Sequence, residues 1–456
     1  MAYPFWLARL LVRTGLVHWF PLIDRQLDGA VPFLHYCSDR LLATPLDALA
    51  EAADFFELRS PDGMDLALGA PRFDLSPSLH TRLPEHRRGY PPPEGLLETR
   101  QAVAYALQTD YQLDADPIDE VLITHGAAGA FTTIVDTFVN PGKRVVLFDP
   151  SSPLFSLVLR QRRGHIRWVN TWMEEGHLRF RREDLTSALR GARMIVLADP
   201  ANPTGGIFAP EDLEQITWWS NRYDVLICHD DSFARFQYEG ERARISSFPD
   251  APERTLTIGS VSKGHGLAAA RVGWIAAHRQ LLRPCLLSQT LTTPFVAAVC
   301  QQVAAAALRQ SFATFAPVLN DFASRRQYVY DRLQAMGLQP AWPAGGFFFW
   351  LPVRDLGVNG RDFAERLLTE KKVLVTPGDL YGPSGTGCVR LSYAGDDGRV
   401  REGLMRFAEL VEMLRSEQKP LYPTVPTQIS HLEPPVAKLA PSEESCVAST
   451  SDTPPE

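Results

Sequence analysis

Short apolar segments alternate with helical or loop sequence between residues 94 and 275, and this alternation constrains the fold more than any other feature. Each segment is four or five residues long and most are rich in β-branched residues. We predict strands at 121–124, 144–148, 166–169, 194–197, 225–228, 255–258 and 272–275. Such a series is typical of a mostly parallel sheet between helices. A loop rather than a helix separates the last two segments, so this pair can be antiparallel and the sheet mixed.

The chain is long enough for two domains, with 456 residues of which 45% are hydrophobic. A long helical pattern over 316–336 and strand patterns at 347–350 and 389–392 predict a second, smaller α+β domain. The segment after residue 415 is rich in Pro, Ser, Thr and Glu, which predicts disorder. The predicted regions are an N-terminal arm with the start of the small domain (1–62), a small-domain and inter-domain segment (63–93), a large domain (94–310), a small C-terminal domain (311–415) and a disordered tail (416–456).

Charge and cysteine content favour small-molecule chemistry in the cytoplasm. The net charge of -7 provides no basic field for nucleic acid or an anionic membrane, so we expect neither partner. The 6 cysteines form no C-x-x-C pair, which argues against a zinc site or a disulfide framework. Arg9 and Arg13 interrupt the apolar N-terminus, so residues 4–20 are interpreted as an amphipathic segment that covers an apolar surface, with membrane-surface attachment as the alternative.

Polar residues follow two of the predicted strands, where open α/β sheets bind ligands. Asn202 lies in the turn Asp199-Pro200-Ala201-Asn202-Pro203-Thr204-Gly205, and its amide can point at a bound oxygen. The alternative is that Asn-Pro and Thr-Gly only form a turn. Asp230 follows the strand at 225–228, and its carboxylate can pair with a protonated heterocycle. The alternative role for Asp230 is a helix cap or turn.

A lysine among small residues follows the strand at 255–258, in Ser260-Val261-Ser262-Lys263-Gly264-His265-Gly266, and Arg271 comes eight residues after Lys263. Two hydroxyls, a lysine and an arginine can surround a phosphate or form a Schiff base. The glycines do not complete G-x-G-x-x-G, and no G-x-x-x-x-G-K-[ST] occurs in the chain, so nucleotide binding is disfavoured.

Taken together, these motifs resemble the class I/II aminotransferases, a pyridoxal-phosphate family with the aspartate aminotransferase fold (fold type I). The resemblance runs from about Asp65 to Leu414. The residues that carry it are Asn202-Pro203-Thr204-Gly205, Asp230, Ser260-x-Ser262-Lys263, Arg271 and Arg390. It implies amino-group transfer between an amino acid and a 2-oxo acid, with pyridoxal phosphate as the cofactor and no metal.

The resemblance also implies a role for each residue. Lys263 would form the Schiff base and move the Cα proton, and Asp230 would keep the pyridine nitrogen protonated. Asn202 would contact the ring 3-oxygen and the substrate, while Arg390 would bind the substrate carboxylate beside Gly69. The phosphate would be held by Ser260, Ser262, Arg271 and the backbone of Gly126, Ala127 and Ala128, joined by Tyr90 of a neighbouring subunit. A homodimer with shared active sites is therefore expected.

Two positions depart from the family pattern. Ser152 replaces an aromatic residue that stacks on the pyridine ring, and Phe233 replaces a tyrosine that donates to the ring 3-oxygen. Phe155 is a candidate to provide the missing wall. The departures favour the alternative that the chain is a lyase, decarboxylase or cyclase of the same fold. A non-catalytic pyridoxal-phosphate-binding protein is a third hypothesis, which the absence of a basic DNA-binding segment before Asp65 disfavours.

Overall fold

The computed structural model describes residues 63–67, 69–71, 73, 89–240 and 243–418. The predicted arm at 1–62 and all but the first three residues of the predicted tail lie outside them. The helices of the described residues, in chain order, are α1 (Leu97–Tyr111), α2 (Gly126–Phe138), α3 (Pro153–Gln161), α4 (Arg182–Leu189), α5 (Pro210–Arg222), α6 (Arg279–Thr292), α7 (Ala298–Leu308), α8 (Phe312–Ala335), α9 (Gly360–Lys371) and α10 (Asp397–Gln418).

The strands of the same residues form one large and two small sheets. They are β1 (Met64–Asp65), β2 (Val121–Thr124), β3 (Arg144–Asp149), β4 (His165–Glu174), β5 (His177–Phe180), β6 (Ala192–Ala198), β7 (Leu226–Asp230), β8 (Thr255–Ser260), β9 (Gly273–Ala277), β10 (Phe348–Pro352), β11 (Val373–Leu374), β12 (Thr376–Pro377) and β13 (Cys388–Ser392).

The large sheet has the strand order β2-β9-β8-β7-β6-β3-β4-β5. The five strands from β8 to β4 run parallel to one another. β9 lies between β2 and β8 and is antiparallel to both, with Gly273 opposite Thr124 and Ser260. All seven predicted strands of this sheet are confirmed, as are the mixed sheet and the α/β fold class.

Alternating side chains of the central strands enter two different cores, which explains why these segments are apolar throughout. In β3, Val145 and Leu147 pack with α2 and α3 residues, whereas Val146 and Phe148 pack on the opposite face. Successive side chains of a strand point to opposite faces. Helices therefore cover both faces of the large sheet, and the polar residues at the strand ends are left at its carboxyl edge.

The C-terminal part of the chain builds a three-stranded antiparallel sheet, β10-β13-β12, in which Trp350 lies opposite Arg390. The strands predicted at 347–350 and 389–392 are confirmed. β1 pairs in parallel with β11, so Met64 lies opposite Val373. Residues of β1, β10, β13, α8 and α10 share one hydrophobic core. The division into a large and a small domain stays a prediction.

Candidate active site

Three neighbouring parallel strands place the predicted polar residues at one edge of the large sheet. Asp230 is the last residue of β7, Ser260 is the last residue of β8, and Asn202 lies four residues after β6. Because β6, β7 and β8 are adjacent and parallel, their carboxyl ends meet. Lys263 follows β8 by three residues and completes the group.

Lys263 is mostly buried, and it interacts with residues that are distant from it in sequence. Its Nζ donates a hydrogen bond to the carbonyl oxygen of Gly69. The pKa of Lys263 is lowered to about 8, chiefly by burial and then by the positive charge of Arg390, while Asp230 acts in the opposite direction. A lowered pKa increases the fraction of neutral amine, which is the nucleophilic form.

Asp230 is a buried carboxylate next to this amine. The backbone N–H of Ser232 donates to its Oδ1 at 3.0 Å. Burial raises the pKa of Asp230, and hydrogen bonding from Ser232 and the charge of Lys263 oppose the rise. Asp230 is therefore suited to accept a hydrogen bond from a cationic group that enters the site.

The start of α2 forms an anion-binding site with the loop between β8 and β9. No side chain caps this helix, so its first N–H groups are available. Gly126 has φ +71°, and a Cβ at this position would lie 2.7 Å from Nη2 of Arg271. The other guanidinium nitrogen, Nη1, donates to the Ala268 carbonyl at 2.9 Å and lies 3.5 Å from the Ser262 Oγ.

This arrangement fits the phosphate of the cofactor expected from the sequence. Gly126, Ser262 and Arg271 are brought together as predicted, and Ala127 and Ala128 provide N–H groups of the first helical turn. Ser260 is also buried, and its Oγ lies 3.4 Å from the Ser262 backbone nitrogen. The Lys263 amine is on the same loop as Arg271, so one loop can hold the aldehyde and phosphate ends of the group.

Arg390, in β13, is buried with its guanidinium held by neutral groups. Nη1 donates to Oδ1 of Asn202 at 3.0 Å, and Nη2 donates to the Ala67 carbonyl at 2.7 Å. Nη2 also lies 3.3 Å from the Thr376 Oγ1. Among the residues that the structure describes, no carboxylate forms an ion pair with Arg390, and its Nε has no hydrogen-bond partner. The positive charge is therefore available to a carboxylate ligand.

Two aromatic rings flank the Arg390 guanidinium. Its Cζ lies 4.2 Å from the ring centre of Phe348 and 5.3 Å from that of Tyr381. Phe348, Tyr381 and Thr376 are site residues that were not predicted from the sequence. Thr376 could have been identified only from the strand register, because it lies opposite Arg390 across the β12–β13 pair.

The two departures from the family pattern lie in different surroundings. Phe233 packs edge-on against Phe347 and Phe348, with ring centres 5.4 and 5.5 Å away, and the Lys263 Nζ lies 6.0 Å from its ring centre. Ser152 precedes α3 and makes no side-chain cap. Phe155 is fully buried, with its ring centre 4.8 Å from that of Phe131, so it belongs to the core and does not provide the missing wall.

Tyr90 is a predicted site residue with a strongly exposed side chain. It is 87% exposed and stacks on Phe295 with ring centres 4.9 Å apart. Within one chain, this contact does not explain a role at the phosphate.

No helix in the described part of the chain is long and apolar enough to cross a membrane, and those residues contain no cluster of three or more potential metal ligands.

Comparison with known proteins finds the same architecture. The model of the family "Aminotransferase class I and II" matches residues 61–407. An aspartate aminotransferase of Pyrococcus abyssi is 28% identical over 82% of this chain and 98% of its own length. An aromatic-amino-acid aminotransferase of Thermococcus litoralis is 28% identical over 76% of this chain and 92% of its own. The solved structure of Thermus thermophilus aspartate aminotransferase with maleate superposes with a TM-score of 0.75 at 26% identity, covering 82% of this chain and 99% of that one.

Proposed function

Because the chain belongs to the class I and II aminotransferase family, we propose that Lys263, Asp230 and Arg390 form the active site in which it transaminates. The protein is a pyridoxal-phosphate-dependent aminotransferase that moves an amino group between an amino acid and a 2-oxo acid. The single observation that supports this site best is the buried Lys263 amine, whose charge neighbours are Arg390, Asp230 and Arg271.

The bound cofactor supplies an aldehyde that bonds to amines and a pyridine ring that withdraws electrons from the substrate Cα. We propose that Lys263 Nζ carries the cofactor and later takes the Cα proton, and that Asp230 holds a proton at the pyridine nitrogen. The backbone N–H groups of Gly126, Ala127 and Ala128 bind the phosphate, together with Arg271, Ser260 and Ser262.

Arg390 binds the substrate carboxylate through two parallel hydrogen bonds, a geometry that favours arginine over lysine. Gly69 and Asn202 complete this side of the site, since Gly69 contacts Lys263 and Asn202 contacts Arg390. A carboxylate fixed in this way orients the Cα–H bond toward the Lys263 amine, so proton removal is favoured over loss of the carboxylate. The relatives compared above are aminotransferases, which favours transamination over the lyase, decarboxylase and cyclase alternatives.

The test of the proposed site is a half-reaction with one amino acid and no acceptor. We expect about one equivalent of 2-oxo acid per active site and no ammonia. Borohydride should fix the cofactor covalently on Lys263, and Lys263→Ala should lose this attachment, whereas a variant of the exposed Lys143, Lys143→Ala, should keep it. Label on another lysine would contradict the site, and catalytic release of ammonia or carbon dioxide would contradict transamination.

We also propose that the enzyme is a homodimer in which Tyr90 reaches the phosphate of the partner subunit. In support, two large apolar side chains of α6 are exposed on the single chain: Leu287 is 64% and Leu291 79% exposed. Exposed apolar groups of this size are typical of interfaces.

A cytoplasmic location is proposed from the free cysteines Cys228, Cys285, Cys300 and Cys388, and labelling the protein in intact cells would test it.

A further inference from the structure

We propose that Asp149 is a positioning residue for substrate binding, because it fixes the segment Gly378–Gly387 that holds Tyr381 against Arg390. This inference rests on the proposed role of Arg390 as the carboxylate-binding residue. We call the contact between Asp149 and Ser384 the Asp149 latch. It joins the end of β3 in the large sheet to a segment that precedes β13.

Asp149 is only 1% exposed and accepts two hydrogen bonds from one residue. The Ser384 Oγ–H donates to Oδ1 at 2.8 Å, and the Ser384 backbone N–H donates to Oδ2 at 3.0 Å. The Asp149 carbonyl is held in turn by the Thr171 hydroxyl at 2.8 Å. Both oxygens of this carboxylate are therefore directed at the segment.

A glycine permits this close approach. Gly382 has φ +141°, and a Cβ at this position would lie 2.3 Å from Oδ1 of Asp149. Any other residue would be strained in its backbone and would displace the carboxylate. The segment is thus shaped to receive Asp149.

The turn that follows β3 also contacts Tyr381 directly. The Ser151 backbone N–H donates to the Tyr381 carbonyl at 2.8 Å. The Tyr381 ring is 2% exposed and packs edge-on against Trp350 at 5.6 Å. Ser151 follows Asp149 by two residues. The residues at the end of β3 therefore hydrogen-bond to the segment at two points, Tyr381 and Ser384.

Tyr381 transmits this position to Arg390 by two routes. Its ring centre lies 5.3 Å from the Arg390 Cζ. Its hydroxyl also shares a hydrogen bond with Thr376, whose Oγ1 lies 3.3 Å from the Arg390 Nη2. A displaced segment would therefore turn the guanidinium away from the carboxylate that it binds, while the cofactor groups on the β8–β9 loop would keep their places.

Asp149 depends on Ser384 for its hydrogen bonds, because no basic side chain among the described residues lies within hydrogen-bond reach of it. Burial raises the pKa of Asp149, and the two Ser384 donors oppose the rise. Removing the Ser384 hydroxyl leaves Oδ1 with only a 3.4 Å contact to the Ser384 backbone nitrogen. The loss of one hydrogen bond to a charged group changes an equilibrium by about tenfold. The Ser384 residue itself is exposed, so the hydroxyl can be changed without opening the core.

The test compares Ser384→Ala with Ser384→Thr, which keeps the hydroxyl, and with the stronger variant Asp149→Asn. We expect Ser384→Ala to raise KM for the best amino-acid donor by about tenfold with kcat nearly unchanged, and Ser384→Thr to restore wild-type KM. KM for an amine without a carboxylate should stay unchanged. The α-methylated form of the donor, which lacks the Cα proton, should bind Ser384→Ala about tenfold more weakly in an absorbance titration.

Arg390→Gln separates this inference from the proposed function. If Arg390→Gln does not raise KM for the amino acid, the proposed role of Arg390 is wrong. If Arg390→Gln raises KM for the amino acid while Ser384→Ala leaves this KM unchanged, only the latch is wrong. Equal increases for the amino acid and the amine would also overturn the latch, because they would indicate a general structural defect. Ser384→Ala decides the question even if Asp149→Asn fails to fold.

Discussion

Lys263 combines burial with two nearby guanidinium groups, and its pKa of about 8 has a measurable consequence. Since this pKa lies below the ordinary value of 10.5, the neutral amine is present at roughly one part in ten at pH 7, against less than one in a thousand for a free lysine. The rate at which the cofactor-free protein captures pyridoxal phosphate should therefore rise with pH and level off above about 8. Stopped-flow absorbance measures this rate.

The charge of Arg390 is the second cause of the low pKa, so Arg390→Gln should move the midpoint of this curve to higher pH. Lys371, which pairs with Glu409 on α10, offers a control, because its charge is not among those that shift the pKa of Lys263. Lys371→Ala should therefore leave the midpoint in place. A capture rate independent of pH between about 7 and 9 would contradict the assignment.

Phe233 predicts weaker cofactor retention than the usual tyrosine would give. Its ring is fixed by Phe347 and Phe348, so Phe233→Tyr should keep the ring orientation and add one hydroxyl near the site. One regained hydrogen bond of about 1 kcal/mol would slow cofactor loss roughly fivefold, and a gain of about 1.4 kcal/mol would slow it roughly tenfold. Ser152→Tyr should act in the same direction through stacking. Cofactor release measured by dialysis and absorbance tests both, and unchanged or faster release in both variants would be incompatible with this account.

Residue by residue, the sequence predicted groups whose chemistry is unusual at a strand end. Asp230 and Lys263 are polar residues after apolar strands, which is a local signal. Tyr381 and Phe348 carry no such signal, because their role depends on the packing of β13 against segments that are distant in sequence. Phe155 was misjudged for the same reason, since nothing local distinguishes a wall of the site from the core.

At the scale of elements, substitutions at two glycines with similar φ angles test the proposed role of the start of α2. Gly126 begins this helix, whereas Gly142 lies after its end and serves as the control. Gly126 and Gly142 have φ +71° and +81°. Gly126→Ala would place a Cβ against Arg271, so we expect the affinity for pyridoxal phosphate to fall by at least about tenfold, the loss of one charge-assisted hydrogen bond. Gly142→Ala meets nothing within 4 Å, so only its backbone strain remains, about 1 kcal/mol of the free energy of unfolding.

Fluorescence titration with pyridoxal phosphate and denaturant unfolding separate these effects. Equal cofactor affinity in the two variants would mean that Arg271 and the helix start do not hold the phosphate. A parallel titration with inorganic phosphate reports on the anion site without the covalent bond to Lys263.

The strands were predictable where both faces are buried, because such strands are apolar throughout. β5 escaped prediction since it is an edge strand of four residues, His177–Phe180, with alternating burial. α6 escaped because Pro284 interrupts its pattern. The pairing of β1 with β11 also has no local signal, since two-residue strands far apart in the chain leave no periodicity.

At the scale of the whole molecule, the exposed Tyr90 predicts that two chains share each site. A heterodimer of Lys263→Ala and Tyr90→Ala chains should contain one intact site, with Lys263 from one chain and Tyr90 from its partner. Mixing the two inactive proteins after reversible dissociation should therefore restore up to about a quarter of wild-type activity, since about half of the dimers are mixed and each has one site of two. Mixing each variant with itself is the control, and no recovery in verified heterodimers would exclude a shared site.

The pairing of β1 with β11 brings the first described residues of the chain to one of its last strands. Ala67 and Gly69, just after β1, contact Arg390 and Lys263. Gly69 and Arg390, proposed to face the substrate, thus come from opposite ends of the described chain, while Lys263, Asp230 and Arg271, proposed to hold the cofactor, come from its middle. Substitutions at Ala67 or Arg390 can therefore alter how the substrate carboxylate is held without replacing any side chain proposed to hold the cofactor.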